Sequence, residues 1–113
     1  MKVTTEQAGA ISIVRVGEPR MMYPLLSDFA GTVTALINSV EPRVLLDLST
    51  VTYVDSATIG CLMDLYRQAT AAGGALKLTG VQKRVETMLT MTGAQNFIEI
   101  HGDEPAALAS FKV

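Results

Sequence analysis

The stretch VLLDLSTVTYVDSATIG, residues 44–60, decides the fold. Val44, Leu45, Leu46 and Leu48 form a nearly unbroken apolar run, as expected of a strand covered on both faces or lying at a sheet centre. The run continues through Val54 and Asp55 into Ser56, where the spacing turns helical and stays so to Ala72. Ser56 therefore stands at a helix start, where backbone N–H groups lack partners and negative charge is tolerated best. A hydroxyl at that point serves as a plain helix cap, as a phosphate acceptor, or as both.

Working outward, Lys2–Thr5 and Ile11–Val16 alternate weakly around Ala8-Gly9 and predict a hairpin. Gly17-Glu18-Pro19 ends its second strand. Pro24 suits a first helical turn, and Leu26, Phe29, Val33, Leu36, Ile37 and Val40 follow at spacings of three and four. In the helix from Ser56, the residues Ile59, Leu62, Met63, Tyr66 and Ala69 form one stripe, and Gly73-Gly74 stops it. A short strand over Ala75–Thr79, a helical stripe from Val81 to Thr92, a strand over Phe97–Ile100 and a helix over Pro105–Phe111 complete the chain. Strands alternating with helices of this length call for parallel pairing. The expected fold is α/β: a mixed sheet of four or five strands, with an N-terminal antiparallel hairpin and alternating helices.

A chain of 113 residues, 49% hydrophobic and 18% charged, suits one folded domain over residues 1–113. A net charge of -2 without a basic cluster gives no attraction for nucleic acid. Cys61 is a single cysteine and fits a reducing compartment. The N-terminus lacks the apolar core of a signal peptide, and no window reaches the roughly 18 apolar residues of a membrane span. A cytoplasmic protein without membrane insertion is expected.

Catalytic chemistry is sparse. A Ser-His-Asp site would have to combine Ser56 with His101 and either Asp47 or Asp55, yet no G-x-S-x-G elbow is present. One His and one Cys offer no metal-ligand spacing, and neither a dinucleotide nor a P-loop pattern occurs. The chain is expected to be no enzyme and to need no cofactor.

The segment VLLDLSTVTYVDSATIGCLMDLYRQA resembles the core of a STAS domain, as found in bacterial anti-sigma factor antagonists. Those proteins carry an aspartate, a phosphorylatable serine, typically a small residue, then Gly, an aliphatic residue and Gly. Here the stretch is Asp55-Ser56-Ala57-Thr58-Ile59-Gly60. Gly17-Glu18 upstream, and Gly73-Gly74, Gly80-Val81, Thr92-Gly93, Phe97 and Ile100 downstream, extend the likeness over essentially the whole chain. Two positions depart from it. Arg20 stands where the family often has an aspartate, and Thr58 replaces a glycine, adding a second hydroxyl two residues from Ser56.

The resemblance implies that Ser56 is phosphorylated and that the chain, when unphosphorylated, binds an anti-sigma factor of the serine-kinase type. A phosphatase would reset it. The alternative is an unphosphorylated adaptor, such as the soluble subunit of a lipid-transport ATPase or part of a signalling assembly. On the helical wheel, Cys61, Asp64, Leu65 and Gln68 point away from the sheet. With Asp55, Ala57, Thr58 and Gly60 they form the expected switch loop and partner-binding face, where the apolar Cys61 and Leu65 either pack against a neighbouring helix or belong to the binding patch.

Overall fold

A computed structural model describes residues 2–111. Strands β1 (Val3–Ala8) and β2 (Ile11–Val16) form the antiparallel hairpin. A two-residue strand β3 (Arg20–Met21) and a 3-10 turn over Tyr23–Leu25 lead into helix α1 (Leu26–Ile37). Then come β4 (Arg43–Asp47), a second two-residue strand β5 (Tyr53–Val54), α2 (Ser56–Ala71), β6 (Ala75–Thr79) and α3 (Lys83–Thr92). Strand β7 (Ile100–His101) and helix α4 (Glu104–Ser110) end the fold.

The main sheet runs β1-β2-β4-β6-β7, antiparallel only in the hairpin and parallel elsewhere. The apolar run at 44–48 therefore lies at the sheet centre, as its composition predicts. Val44 and Leu46 face one core, with Phe29, Val33 and Ile37 of α1, Leu62 and Leu65 of α2, and Val85 and Leu89 of α3. Leu45 faces the other, with Ile11, Ile13, Ala107 and Phe111. Three helices thus share one face of the sheet and α4 covers the other.

The strand expected over residues 43–48 ends at Asp47, and the stretch between it and Ser56 holds a further short strand. The Oδ1 of Asp47 accepts from the Ser49 amide at 2.9 Å, a local turn that ends β4. The chain resumes as β5, which pairs in parallel with β3 in a separate small sheet. Two further expectations shift. Asn38 caps α1, so Val40 lies beyond the helix and is 97% exposed. The last strand is shorter than predicted because Ala94–Asn96 forms a 3-10 turn that leaves Phe97 exposed and only Ile98 buried.

Polar clasps hold α4 to the sheet. Arg15 Nη1 reaches Asp47 Oδ2 at 2.8 Å and Glu104 Oε1 at 2.7 Å, and Nη2 reaches Glu6 Oε2 at 2.7 Å. At the other end of α4, Lys77 Nζ donates to the Ser110 carbonyl at 3.0 Å and lies over the Phe111 ring. Burial pushes the Asp47 carboxyl up. The Ser49 amide and hydroxyl and the Arg15 guanidinium outweigh this and hold it below the ordinary aspartate value.

The stop of α2 sets the start of β6. Gly73, at φ +80°, donates its amide to the Thr70 carbonyl, and Gly74 donates to the Ala69 carbonyl at 2.9 Å, the paired bonds of a Schellman motif. A Cβ on Gly74 would sit 1.8 Å from the Pro42 carbonyl oxygen, so the residue lets two backbones touch.

Gly74→Ala is expected to cost about 2–3 kcal/mol through overpacking. That corresponds to a melting temperature lower by about 10–20 °C. Because Asp47 titrates below its unfolded value, its stabilisation is complete above the ordinary aspartate range and is lost as pH falls through the folded value. Urea midpoints should be flat from about pH 7 to 5 and decline below about pH 4. In Asp47→Asn that decline should be shallower.

Candidate functional site

The N-terminus of α2 is built by the loop that precedes it. Asp55, extended at φ -95° and ψ 175°, is the cap, and its Oδ1 accepts from the Thr58 amide at 2.8 Å. Its Oδ2 accepts from the Tyr23 amide at 2.9 Å, joining the approach to α1 with the start of α2. The Thr58 Oγ1 lies 2.6 Å from Asp55 Oδ1 and 2.8 Å from the Met21 carbonyl, one proton between two acceptors. Pro19 adds a carbonyl that accepts from the Thr52 and Tyr53 amides at 2.7 and 3.1 Å. The small β3–β5 sheet is thereby fastened under the loop.

Burial pushes the Asp55 carboxyl up, but the Thr58 hydroxyl and the amides of Tyr23 and Thr58 outweigh it and hold it below the ordinary aspartate value. Asp55 is a carboxylate throughout the neutral range.

Ser56 is consequently not the cap. It is the first residue of α2 and is exposed, while the capping bonds belong to Asp55. Thr58, expected as a competing hydroxyl and part of the partner face, is fully buried and committed to Asp55 and Met21. Its hydroxyl is inaccessible to any other protein.

The remaining expected face divides. Ala57, Gly60 and Asp64 are exposed, and a Cβ on Gly60 would meet nothing within 4 Å. Cys61 is half-buried; desolvation and then the charge of Asp64 push its thiol pKa up, so it stays protonated. Gln68 is half-buried, accepting from Thr34 Oγ1 of α1 at 3.2 Å and donating to Asp64 at 3.0 Å. Leu65 is core, 1% exposed. Instead of pointing away from the core it joins Val44 and Leu46 in it; α1 packs against α2 beside the sheet, and the buried arc of α2 is Thr58, Ile59, Leu62, Leu65 and Ala69.

The first turn of α2 forms a ridge between two grooves. A groove of 510 Å³ lies towards α1, lined by Tyr23, Pro24, Leu26, Ser27, Ala57 and Cys61. On the other side, a groove of 340 Å³ includes Ser56, Gly60, Met63, Arg67 and Phe97. Sequence spacing misses Tyr23, which is 72% exposed beside Asp55. Its only sequence signal is an aromatic residue placed just before a helix-starting proline.

No triad assembles around Ser56. His101 Nε2 is 3.0 Å from Glu99 Oε1, Asp47 serves Arg15 and Ser49, and both oxygens of Asp55 are engaged by Thr58 and Tyr23. Among the described residues there is no cluster of three His, Cys, Asp or Glu side chains that could hold a metal. Nor is any helix among them long and apolar enough to cross a membrane.

Loss of the cap in Asp55→Ala is expected to cost about 1–2 kcal/mol. Thr58→Val should cost about 1 kcal/mol. Ser56→Ala, at an exposed position outside the cap, should stay within about 0.5 kcal/mol of the parent. Urea unfolding of the three variants checks the order, and an equal loss in Ser56→Ala and Asp55→Ala would show that the serine shares the capping role.

Known proteins share this architecture. Over 72 residues, 64% of each chain, this chain is 28% identical to the Thermotoga neapolitana homologue of TM1081, assigned to the anti-sigma factor antagonists. The match thus spans under two thirds of that relative's length. The solved STAS domain protein from Planctomyces limnophilus, an anti-sigma-factor antagonist, superposes with a TM-score of 0.87 at 19% identity, covering 96% of both chains. The anti-sigma factor antagonist SpoIIAA in its unphosphorylated form gives 0.77 at 13% identity, covering 94% of this chain and 93% of that one. The phosphorylated Bacillus SpoIIAA gives 0.72 at 12% identity, covering 96% and 98%. The family model of the STAS domain matches residues 2–107, and the chain belongs to that family.

Proposed function

We propose that the chain is an anti-sigma factor antagonist whose interaction with a serine-kinase-type anti-sigma factor is switched by phosphorylation of Ser56. One observation carries the reading: Ser56 is exposed on the first turn of α2, relieved of capping by Asp55, on a ridge between two grooves. In the unphosphorylated state the partner covers this ridge. Its kinase centre then directs the Ser56 oxygen onto the γ-phosphorus of ATP. The serine O–P bond forms, ADP leaves, and the hydroxyl proton passes to a base of the kinase. A separate phosphatase hydrolyses the ester and restores the hydroxyl. This chain supplies the acceptor and no catalytic group.

Phosphorylation adds about -1.5 to -2 charges. The N–H groups and dipole of the α2 terminus favour that charge, so the fold tolerates it. A partner pressed over the ridge would have to bury it beside the Asp55 carboxylate, and binding is lost. The likeness of this fold to both the phosphorylated and unphosphorylated forms of SpoIIAA supports an architecture that accepts the modification.

Incubation with the cognate kinase and ATP should place one phosphate on Ser56 and none on Thr58, as read by mass spectrometry. Ser56→Ala should keep the partner. Ser56→Asp should weaken it on the order of 100-fold, equivalent to about 3 kcal/mol. An unmodified Ser56 in an active kinase mixture overturns the reading. Unchanged binding by Ser56→Asp would instead favour an adaptor that works without phosphorylation.

A further inference from the structure

Arg20 opens β3 and pairs in register with Tyr53 of β5, two residues ahead of Asp55. Its side chain is exposed, and its guanidinium carbon lies 5.1 Å from the centroid of the Tyr53 ring, within cation–π range. No carboxylate pairs with it among the described residues. By contrast, Arg15 is ringed by Glu6, Asp47 and Glu104, Arg43 holds Glu41, and Lys77 holds Glu99. The side chains of Lys2, Arg67, Lys83 and Arg84 are also unpaired among those residues, but no aromatic ring lies beneath them. Arg20 is therefore a cation that is oriented without being neutralised.

The contact with the ring takes up one side of the guanidinium, and the Arg20 side chain donates no hydrogen bond among the described residues, so its N–H groups are free. Those donors form the flat fork that matches a carboxylate. The neighbouring surface is of the kind that carries binding energy at interfaces, with Arg20, Tyr53 and the exposed Tyr23 grouped around the Asp55 loop. Asp55 and Asp64 are the negative charges of the ridge, and Arg67, the other cation near it, lies in the groove on the Phe97 side, away from Tyr23.

We propose that Arg20 determines partner specificity: its guanidinium, held over the Tyr53 ring, receives a carboxylate of the protein that docks over the α2 ridge. This rests on the reading of that ridge as the docking surface. A partner presenting lysine or arginine at the same place is excluded by repulsion. Tyr53 holds the guanidinium in register and so acts as a positioning residue.

The test uses the full chain and the serine-kinase-type anti-sigma factors of the same genome, each purified, with binding measured by calorimetry at low and high salt. Arg20→Glu should weaken the wild-type partner by about 30-fold or more, as for a hydrogen-bonded charge pair that is reversed. Arg20→Lys should lose severalfold less, and both variants should melt with the parent because the residue is exposed. Replacing the contacting acidic residue of the partner with arginine should restore binding to Arg20→Glu. If the parent binds a kinase and Arg20→Glu binds it equally, or if no such charge exchange restores binding, the assignment of Arg20 is overturned. If the parent binds none of these kinases, the reading of the ridge fails, and the assignment with it.

Discussion

The carboxylate of Asp55 is the constraint on which the site depends. One oxygen closes the first turn of α2 through the Thr58 amide, and the other holds the Tyr23 amide at the approach to α1. Through Thr58 it is linked to the Met21 carbonyl and so to β3. A single short side chain thereby joins two helix starts and a small sheet that lie far apart in sequence. Because it takes every capping role, the next residue is left with none. Ser56 sits at a fixed place, yet its hydroxyl is not needed to hold that place.

That arrangement has an electrostatic consequence. The hydrogen bonds that fasten Asp55 also keep it ionised, so any charge added at Ser56 meets a permanent neighbour of the same sign. The α2 terminus offsets only about half an elementary charge, enough for the fold to keep a phosphate but not enough to make it neutral. The surplus must face water. On the proposed reading, a partner over the ridge would remove that water, whereas a free ridge keeps it, so a phosphate at Ser56 would act on association and spare folding.

Much of this was legible before any coordinates. The apolar run at 44–48 gave the central strand, and Gly73-Gly74 gave the end of α2 with its capping geometry. The choice of cap was not legible, because aspartate and serine are comparably good at it and stand side by side. Only the Tyr23 amide, brought in from another part of the chain, settles the matter for Asp55. Leu65 failed for a related reason. A helical wheel measures one buried face, and α2 has two, the sheet and α1. Strands β3 and β5 have two residues each, too few for any periodicity to show.

Thr58 shows how stability and exposure are divided along one helical turn. Within three residues of the cap, the chain spends its threonine on buried bonds and leaves serine and alanine at the surface. In a helix, residues 56 and 58 are about 200° apart, so they cannot face the same way. A β-branched residue is also well suited to the buried position, since its single favoured rotamer fixes the hydroxyl on Met21 and Asp55. The hydroxyl of Thr58 thus supports the ridge from beneath and leaves that of Ser56 as the exposed one in this turn. What distinguishes this chain on the outside lies instead across the loop, where Arg20 rests on Tyr53.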